Sequence, residues 1–239
     1  MQNHSLRSRI FLRIFVPIVI IYTSVLTYQS IGNFTETLDL EHEITNSQSH
    51  NYANKLESLL STEMVYMRAI TQTFEFYSNL PPKERVKQCE IIAKSAIEHN
   101  KSFMAIWFNW NLNTMMKNWN HDYGRHRTTI VPKDGRFRIL YDTLDTMGEA
   151  KGLYYSIKKN NVEMVSSPYP EDFSGALSKK VLATSVCIPI RENGRFIGLA
   201  GVDLSLDHYQ KIIESISRRN TSNLIFFSPD GQIVACTKT

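Results

Sequence analysis

Hydrophobic and polar positions divide the chain into an apolar N-terminal run, a long helical stretch and a strand-rich remainder. Residues 10–28 form one apolar run, and about 20 residues at about 1.5 Å each are enough to cross the core of a bilayer. No Pro or Gly interrupts residues 33–77, and apolar side chains recur every three or four positions in the second half, which predicts one long helix. The sequence Asn79-Leu80-Pro81-Pro82 is expected to end this helix, because the residue before a proline disfavours helical conformation. Residues 83–98 predict a second helix.

The remainder of the chain has the composition of β-strands. Aromatic and branched residues fill residues 103–110, and two further strands are predicted at residues 128–131 and 136–141. The other predicted elements are a looser region ending in a short helix (142–156), a Pro- and Ser-rich loop (166–172), an amphipathic helix (206–219) and a last hairpin (223–235). This order of helices and mostly antiparallel strands predicts an α+β fold.

Residues 181–206 predict a β-hairpin with one acidic side chain near its end. Asn193-Gly194 joins two apolar runs, and this pair is favoured in two-residue turns because both residues tolerate positive φ. Alternation places Gly201 and Asp203 on one face, so Gly201 is expected to leave space beside a carboxylate that needs a partner when buried. This arrangement is typical of a pocket wall. The alternative is an Asp at a strand end that accepts backbone hydrogen bonds.

The apolar run is expected to be an uncleaved membrane anchor. Arg7, Arg9 and Arg13 precede or open it and acidic residues follow it, so the positive-inside rule places the N-terminus in the cytoplasm and the remainder outside. A cleaved signal peptide is the alternative. It would need a shorter apolar core and a cleavage site with small residues, and residues 23–28 offer a poor one.

Composition sets limits on the function. The chain carries 27 Lys+Arg, 23 Asp+Glu and a net charge of +4, and the part beyond the anchor is nearly neutral, so no basic patch predicts nucleic-acid binding. The three cysteines lie far apart without metal-ligand spacing, which predicts buried thiols, with a disulfide of Cys89 left open. No His-Glu-x-x-His pattern predicts a metal, and no cofactor is expected.

Catalytic sequence patterns do not occur in the chain. A Gly-x-Ser-x-Gly nucleophile turn, a Gly-x-x-x-x-Gly-Lys phosphate loop and a dinucleotide-binding glycine loop each need a spacing that the chain lacks, so an enzyme is not predicted. An interaction module without a ligand would fill the space beside Gly201 and pair Asp203 internally. A sensor would leave an open cavity lined by aromatic side chains there.

Three short sequences, in this order and behind a membrane anchor, resemble a known family. They are Tyr154-Tyr155, then Pro168-Tyr169-Pro170-Glu171, then Gly198-Leu199-Ala200-Gly201-Val202-Asp203. The chain resembles the double Cache (PAS-like) extracytoplasmic sensor domains of bacterial membrane receptors. The resemblance implies a signal anchor, a stalk helix and a membrane-distal PAS-like module that binds a small ligand.

On this resemblance the chain has five parts. They are a cytoplasmic N-terminus (1–9), a transmembrane anchor (10–30), a stalk helix (31–80), the membrane-distal sensor module (81–219) and the start of a membrane-proximal module (220–239). Receptors of this type continue to a cytoplasmic output domain, so the chain is interpreted as the sensory N-terminal portion of a receptor in the inner (plasma) membrane, with a periplasmic sensor domain. A homodimer through the long helix is expected, and ligand binding is expected to shift that helix.

The resemblance also implies a ligand site. In family members that bind amino acids, an Arg holds the ligand carboxylate and the loop and final Asp hold its ammonium group, but the Arg position is Gly152 here, which weakens an amino-acid assignment. Arg125 or Arg127 is another source of a cation, and at most one of Trp107 and Trp110 faces the pocket. An amine, an amino acid or another small polar metabolite is the expected ligand. The candidate binding residues are Asp203, Tyr169, Tyr154, Glu171, Tyr155, Trp107 and Arg127.

Overall fold

The computed structural model of the chain describes residues 11–146, 152–173, 175, 180–220, 223–228 and 230–237. The chain forms two units, one up to residue 57 and one from residue 58 onward. Every strand described below belongs to the second unit.

The apolar run and the long helix are one continuous element. A π-helical turn at Phe11–Phe15 leads into α1, which spans Val16–Phe76. Among the described residues this is the one helix long and apolar enough, by length and composition, to cross a membrane. Hydroxyl side chains in its apolar part, such as Thr23 and Ser24, donate to backbone carbonyls one turn earlier, which satisfies their polarity within the helix.

A short irregular segment separates α1 from the next helix, as the proline pair predicts. A 3₁₀ turn at Tyr77–Asn79 is followed by α2, Pro82–His99. Pro82 lies in the first turn, where a helix makes no use of the missing N–H. The buried side of α2 includes Cys89 and Ala93 and packs on the sheet.

The sheet is antiparallel and occupies the centre of the second unit. Its strands are β1 (Phe103–Asn111), β2 (Arg125–Lys133), β3 (Arg136–Leu144), β4 (Met164–Val165), β5 (Tyr169–Glu171), β6 (Val181–Glu192) and β7 (Arg195–Ser205). Within the described residues six of these strands follow the order β3-β2-β1-β7-β6-β4, and the seventh, β5, pairs with β6 outside this order. Helix α3 (Leu112–Met115) follows β1, and α4 (Leu153–Asn160) precedes β4. The predicted α+β fold with an antiparallel sheet and flanking helices is confirmed.

The two faces of the sheet contact different partners. On one face, Phe108 packs edge to face on Phe74 of α1 at 5.2 Å between ring centroids, and the Arg85 guanidinium of α2 lies 4.7 Å from the Trp110 ring. On the other face, α4 packs its Tyr154 and Ile157 against the sheet, with Trp107 beside them. Trp107 and Trp110 therefore point to opposite sides, as strand alternation predicts.

Parts of the sequence prediction are wrong in extent. Strands β2 and β3 are longer than predicted, since polar residues at both ends pair across the ladder although they lack an apolar pattern. The predicted loop at residues 166–172 contains β5, which pairs Tyr169 with Ala183. Trp119 and Tyr123, four residues apart like a helical pair, lie in an irregular segment, where the Trp119 Nε1 donates to the Tyr123 carbonyl.

The predicted hairpin of β6 and β7 is confirmed. Asn193 and Gly194 have φ values of 50° and 78°, as a type I′ turn requires. Between Ile190 and Arg191 the pairing shifts by one residue, which is a β-bulge. Strand β7 leads directly into α5 (Leu206–Asn220), and a two-stranded sheet of β8 (Ile225–Phe227) and β9 (Ile233–Cys236) follows within the described residues.

Candidate functional site

A cavity of about 850 Å³ opens on the face of the sheet that carries Trp107. Its floor consists of side chains from β1, β2, β6 and β7, and its walls come from β3, β5 and the start of α4. Cavities of this size hold small organic ligands. Aromatic side chains and charged groups of both signs lie on the same lining, so the cavity is suited to a polar or charged molecule.

Asp203 lies in this lining and accepts hydrogen bonds from three side chains. It is 2% exposed, and its Oδ1 accepts hydrogen bonds from Trp107 Nε1 at 2.7 Å, Ser185 Oγ at 2.7 Å and Tyr169 Oη at 2.8 Å. The three donors come from three different strands, so the carboxylate ties β1, β5 and β6 to β7. All three are side chains, which excludes the alternative of a strand-end Asp held by the backbone.

Burial and hydrogen bonding act on Asp203 in opposite directions. Removal from water raises the pKa of the carboxyl, the three donors lower it, and the negative Glu171 raises it again, with a net value of about 6. The carboxylate is therefore mostly ionised at neutral pH and becomes protonated in mildly acidic solution. Its negative charge is available to a ligand only in the ionised form.

The two carboxylate oxygens of Asp203 differ in their hydrogen bonding. Among the residues that the structure describes, every hydrogen bond to this carboxylate goes to Oδ1 and none to Oδ2. A buried carboxylate oxygen is favourable only when a donor or cation faces it. Because Asp203 lines the cavity, the missing partner is expected to be a ligand group that carries N–H protons.

The expectation of empty space beside Gly201 is wrong. Trp107 lies directly opposite Gly201 across β1 and β7, and a Cβ added to the glycine would lie 2.6 Å from the Trp107 Cη2. The glycine therefore gives room to the indole ring and not to a ligand. The indole in turn directs its N–H at Asp203, so the glycine positions a donor to the carboxylate.

A positive group occupies another part of the lining. Arg125 is 5% exposed, its Nη1 donates to Asn109 Oδ1 at 2.7 Å, and its guanidinium carbon lies 5.4 Å from the Tyr154 ring centroid. Arg127, two residues along β2, also lines the cavity, with its Nη2 3.8 Å from Asp142 Oδ2. Arg125 is therefore a buried cation and not a solvated charge at a strand edge.

The structure brings most of the predicted site residues together. Asp203, Tyr169, Tyr154, Glu171, Trp107 and Arg127 all line the cavity. Tyr154 also donates through its hydroxyl to Asn111 Oδ1, and Glu171 Oε1 accepts from the backbone N–H groups of its own loop. Tyr155 is not part of the lining, and its hydroxyl accepts a hydrogen bond from the Gly124 N–H at 3.1 Å.

Ser185 and Phe173 are among the lining residues that sequence reasoning missed. Ser185 donates to Asp203, and Phe173 contributes an apolar wall beside the loop after β5. Asp203 pairs with Ser185 across the hairpin, but the bulge displaces this pairing from the one obtained by counting back from the turn. Phe173 has a positive φ of 50°, which a sequence pattern does not indicate for an aromatic residue.

No protein-family model matches the sequence, and no curated protein matches it with significance. Solved structures do match. The extracellular domain of the putative histidine kinase mmHK1S-Z2 has a TM-score of 0.61 at 19% identity, over 82% of this chain and 72% of that one. Methyl-accepting chemotaxis protein X has a TM-score of 0.56 at 16% identity, over 80% and 74% of the two chains.

A third match is a complex with a bound ligand. The ligand-binding domain of the Campylobacter jejuni chemoreceptor Tlp3 in complex with L-valine has a TM-score of 0.54 at 17% identity, over 76% of this chain and 64% of that chain. The chain has the fold of these sensor domains. This fold is the one that the resemblance to double Cache domains implies.

Proposed function

We propose that the chain is the extracytoplasmic sensor part of a membrane receptor and that its cavity binds a small molecule with an ammonium group. The observation that carries the proposal is the buried carboxylate of Asp203 in the cavity lining, whose Oδ1 accepts three protein hydrogen bonds while Oδ2 accepts none from the described residues. An ammonium group supplies the donors and the charge that this oxygen lacks. Trp107 and Tyr169 add aromatic surface that attracts cations.

The proposed domain plan follows the order of the elements. Residues 1–9 are cytoplasmic, residues 10–30 anchor the chain, residues 31–80 form the stalk helix, residues 81–219 form the membrane-distal sensor module, and residues 220–239 begin a membrane-proximal module. The apolar part of α1 and the basic residues before it support this orientation.

Contacts between α1 and the sensor domain support a role for the helix in signalling. Glu75 of α1 accepts a hydrogen bond from the Arg191 backbone N–H at 2.8 Å, next to the bulge of the hairpin that carries Asp203. Arg68 forms a two-point ion pair with Glu163. A ligand that favours one packing of the hairpin thereby favours one position of the helix, and we propose that a homodimer through α1 passes this preference across the membrane.

The ligands bound to one fold neighbour each carry an ammonium group. Tlp3 is described in complex with L-valine and L-norvaline and with isoleucine bound, and each of these amino acids has an ammonium group. For this chain we propose ammonium compounds as the ligand class because of Asp203, and not because of these complexes.

The experiment is a thermal-shift screen of the full chain in detergent against amines, amino acids, organic acids and sugars. A ligand at 100 times its dissociation constant stabilises the folded state by about 2.7 kcal/mol, enough to raise the melting temperature by several degrees. We expect the hits to be ammonium compounds and to disappear with Asp203→Asn. The matched control is Asp207→Asn, an exposed carboxyl at the start of α5, which is expected to keep them.

A partner-binding module is the second candidate. The observation in its favour is that the indole of Trp107 fills the space beside Gly201 and that three side chains pair with Asp203. Hits restricted to molecules without an ammonium group would contradict the proposed ligand class. A folded chain that gives no hits across the whole panel would favour the partner-binding module.

A further inference from the structure

We propose that the ligand carries two cationic groups, one bound by Asp203 and one by Glu171, as a diamine does. This ligand class rests on the proposed function, and it adds a second cation to the ammonium group at Asp203. An amino acid with an uncharged side chain has a single ammonium group, so it leaves one of the two acidic residues without a partner.

Glu171 lies on the same face of the sheet as one of the donors to Asp203. Tyr169 of β5 donates to Asp203 at 2.8 Å, and Glu171 follows two residues later, so strand alternation places both side chains on one face. Both carboxylates line the cavity. Burial raises the pKa of Asp203 most, its three hydrogen bonds lower it, and the negative charge of Glu171 raises it again. The two carboxylates are therefore close enough to repel each other.

Glu171 is held by the backbone at one of its two oxygens. Its Oε1 accepts hydrogen bonds from the Asp172 N–H at 2.9 Å and the Phe173 N–H at 2.6 Å. Within the described residues no donor is bonded to its Oε2, just as none is bonded to the Oδ2 of Asp203. Each carboxylate therefore has one oxygen that can accept a hydrogen bond from a ligand.

Asp203 and Glu171 have no ion-pair partner in the part of the chain that the structure describes. Asp142, another acidic residue of the lining, differs in this respect, because its Oδ2 lies 3.8 Å from Arg127 Nη2. A single ammonium group offsets one of the two charges at Asp203 and Glu171. A second cationic group removes the remaining repulsion and supplies N–H donors to the second carboxylate.

Apolar side chains of the lining accompany the two carboxylates. Phe173 follows Glu171 by two residues, and Leu199 lies on the same face of β7 as Asp203, four residues before it. Both side chains are buried. Such a wall is suited to the methylene groups that join the two ammonium groups of a diamine.

The test compares matched amines on the unmodified full chain in detergent by titration calorimetry. The probes are the diamines from 1,3-diaminopropane to 1,6-diaminohexane, each beside the monoamine and the amino alcohol of the same chain length. We expect at least one diamine to bind about tenfold more tightly than both of its matched compounds, because only the diamine has a second charged donor. Monoamines that bind as tightly as the diamines would mean that one ammonium group is shared by both carboxylates, and they overturn the inference.

Variants locate the second cation. Glu171→Gln keeps an oxygen for the two backbone N–H groups but removes the charge, so it should bring each diamine and its monoamine to within about twofold of each other. The matched control is Asp172→Asn, which changes an acidic residue beside Glu171 that is not among the described lining residues, and it is expected to keep the difference.

A diamine preference that survives Glu171→Gln, or that Asp172→Asn also abolishes, overturns the inference. If amines still bind in a way that depends on Asp203, the proposed function stands without the second cation. If no ammonium compound binds, both are overturned.

Discussion

Trp107 and Gly201 form a cross-strand pair in which the indole ring occupies the volume that any other residue at position 201 would need. Because the same indole donates to Asp203, the pair links backbone geometry to the electrostatics of the cavity. A larger residue at position 201 must displace the ring and thereby remove one of three donors from a buried carboxylate. The size of residue 201 and the hydrogen bonding of Asp203 are therefore coupled through this pair.

Gly201→Ala is expected to destabilise the protein and to weaken ligand binding. Overpacking of a closely packed site costs about 1–3 kcal/mol, and the displaced indole no longer donates to Asp203. The measurement is the melting temperature, together with the tryptophan fluorescence of the folded state. In a Trp107→Ala background the same substitution should cost less than about 1 kcal/mol, since the ring is gone. Equal costs in both backgrounds would show that the indole is not what Gly201 accommodates.

Two tyrosines provide a matched pair of variants. Tyr169→Phe removes the hydroxyl that donates to Asp203 at 2.8 Å, so it should weaken binding of an ammonium ligand and raise the pKa of Asp203 further. Within the described residues, the Tyr155 hydroxyl accepts one hydrogen bond, from the Gly124 backbone N–H. Tyr155→Phe should therefore lower stability slightly and leave affinity unchanged. Calorimetric titration of both variants checks this. A larger loss of affinity in Tyr155→Phe would place that residue, and not Tyr169, at the ligand.

Ligand affinity should fall in mildly acidic solution. Below the Asp203 pKa of about 6, the carboxyl carries a proton, and each further pH unit should reduce the affinity for an ammonium ligand by about tenfold. The measurement is the dissociation constant at pH 5, 6 and 7, with the Asp203→Asn variant as the control that lacks this dependence. An affinity that stays constant over this range would contradict an ionised Asp203 as the cation-binding group.

The ligand-free protein should show the opposite trend in stability. The folded-state pKa of Asp203 lies above its unfolded value, so the folded protein binds the proton more tightly, and the contribution of this group falls as pH rises from about 4 to about 6. The loss is about 3 kcal/mol in order of magnitude. The measurement is the free energy of unfolding in denaturant for the wild type and for Asp203→Asn. The value for the wild type minus the value for the variant should fall over this range and then stay constant.

The three thiols should differ in reactivity. Cys89 and Cys187 are buried and unbridged, and burial raises the pKa of Cys89 to about 12, so few thiolates form. Cys236 is half-exposed and should react first with a thiol reagent in the native state. Mass spectrometry of labelled peptides gives the order, and denaturant should make all three react. Rapid native labelling of Cys89 would mean that α2 opens more readily than its packing indicates.

Much of the fold follows from local patterns. The proline pair, the Asn193-Gly194 turn and the apolar periodicity indicate their elements because each acts within a few residues. The extent of β2 and β3 does not follow, since their polar outer ends are held by pairing with each other, up to 19 residues apart at Arg125 and Leu144, and carry no apolar pattern of their own. β5 likewise depends on the neighbouring β6 and not on its own Pro-containing sequence.

The site was predictable only in part, for a similar reason. Asp203 was recognisable because an acidic residue in an apolar strand is costly without a partner. Its donor Ser185 depends on a one-residue register shift in the hairpin, and the burial of Arg125 depends on Asn109 and Tyr154 from other elements. Such partners are set by tertiary packing, which no single segment encodes.

The direct passage of β7 into α5 joins the cavity to the second sheet. Asp203 lies three residues before Leu206, where α5 begins, with no loop to absorb a displacement. One turn into the helix, Gln210 exchanges hydrogen bonds with the backbone of Cys236 in β9, at 2.6 Å and 3.1 Å. Ligand binding at Asp203 should therefore restrain β9, a strand outside the cavity lining. Amide hydrogen exchange in β9 is expected to slow when the cavity is occupied.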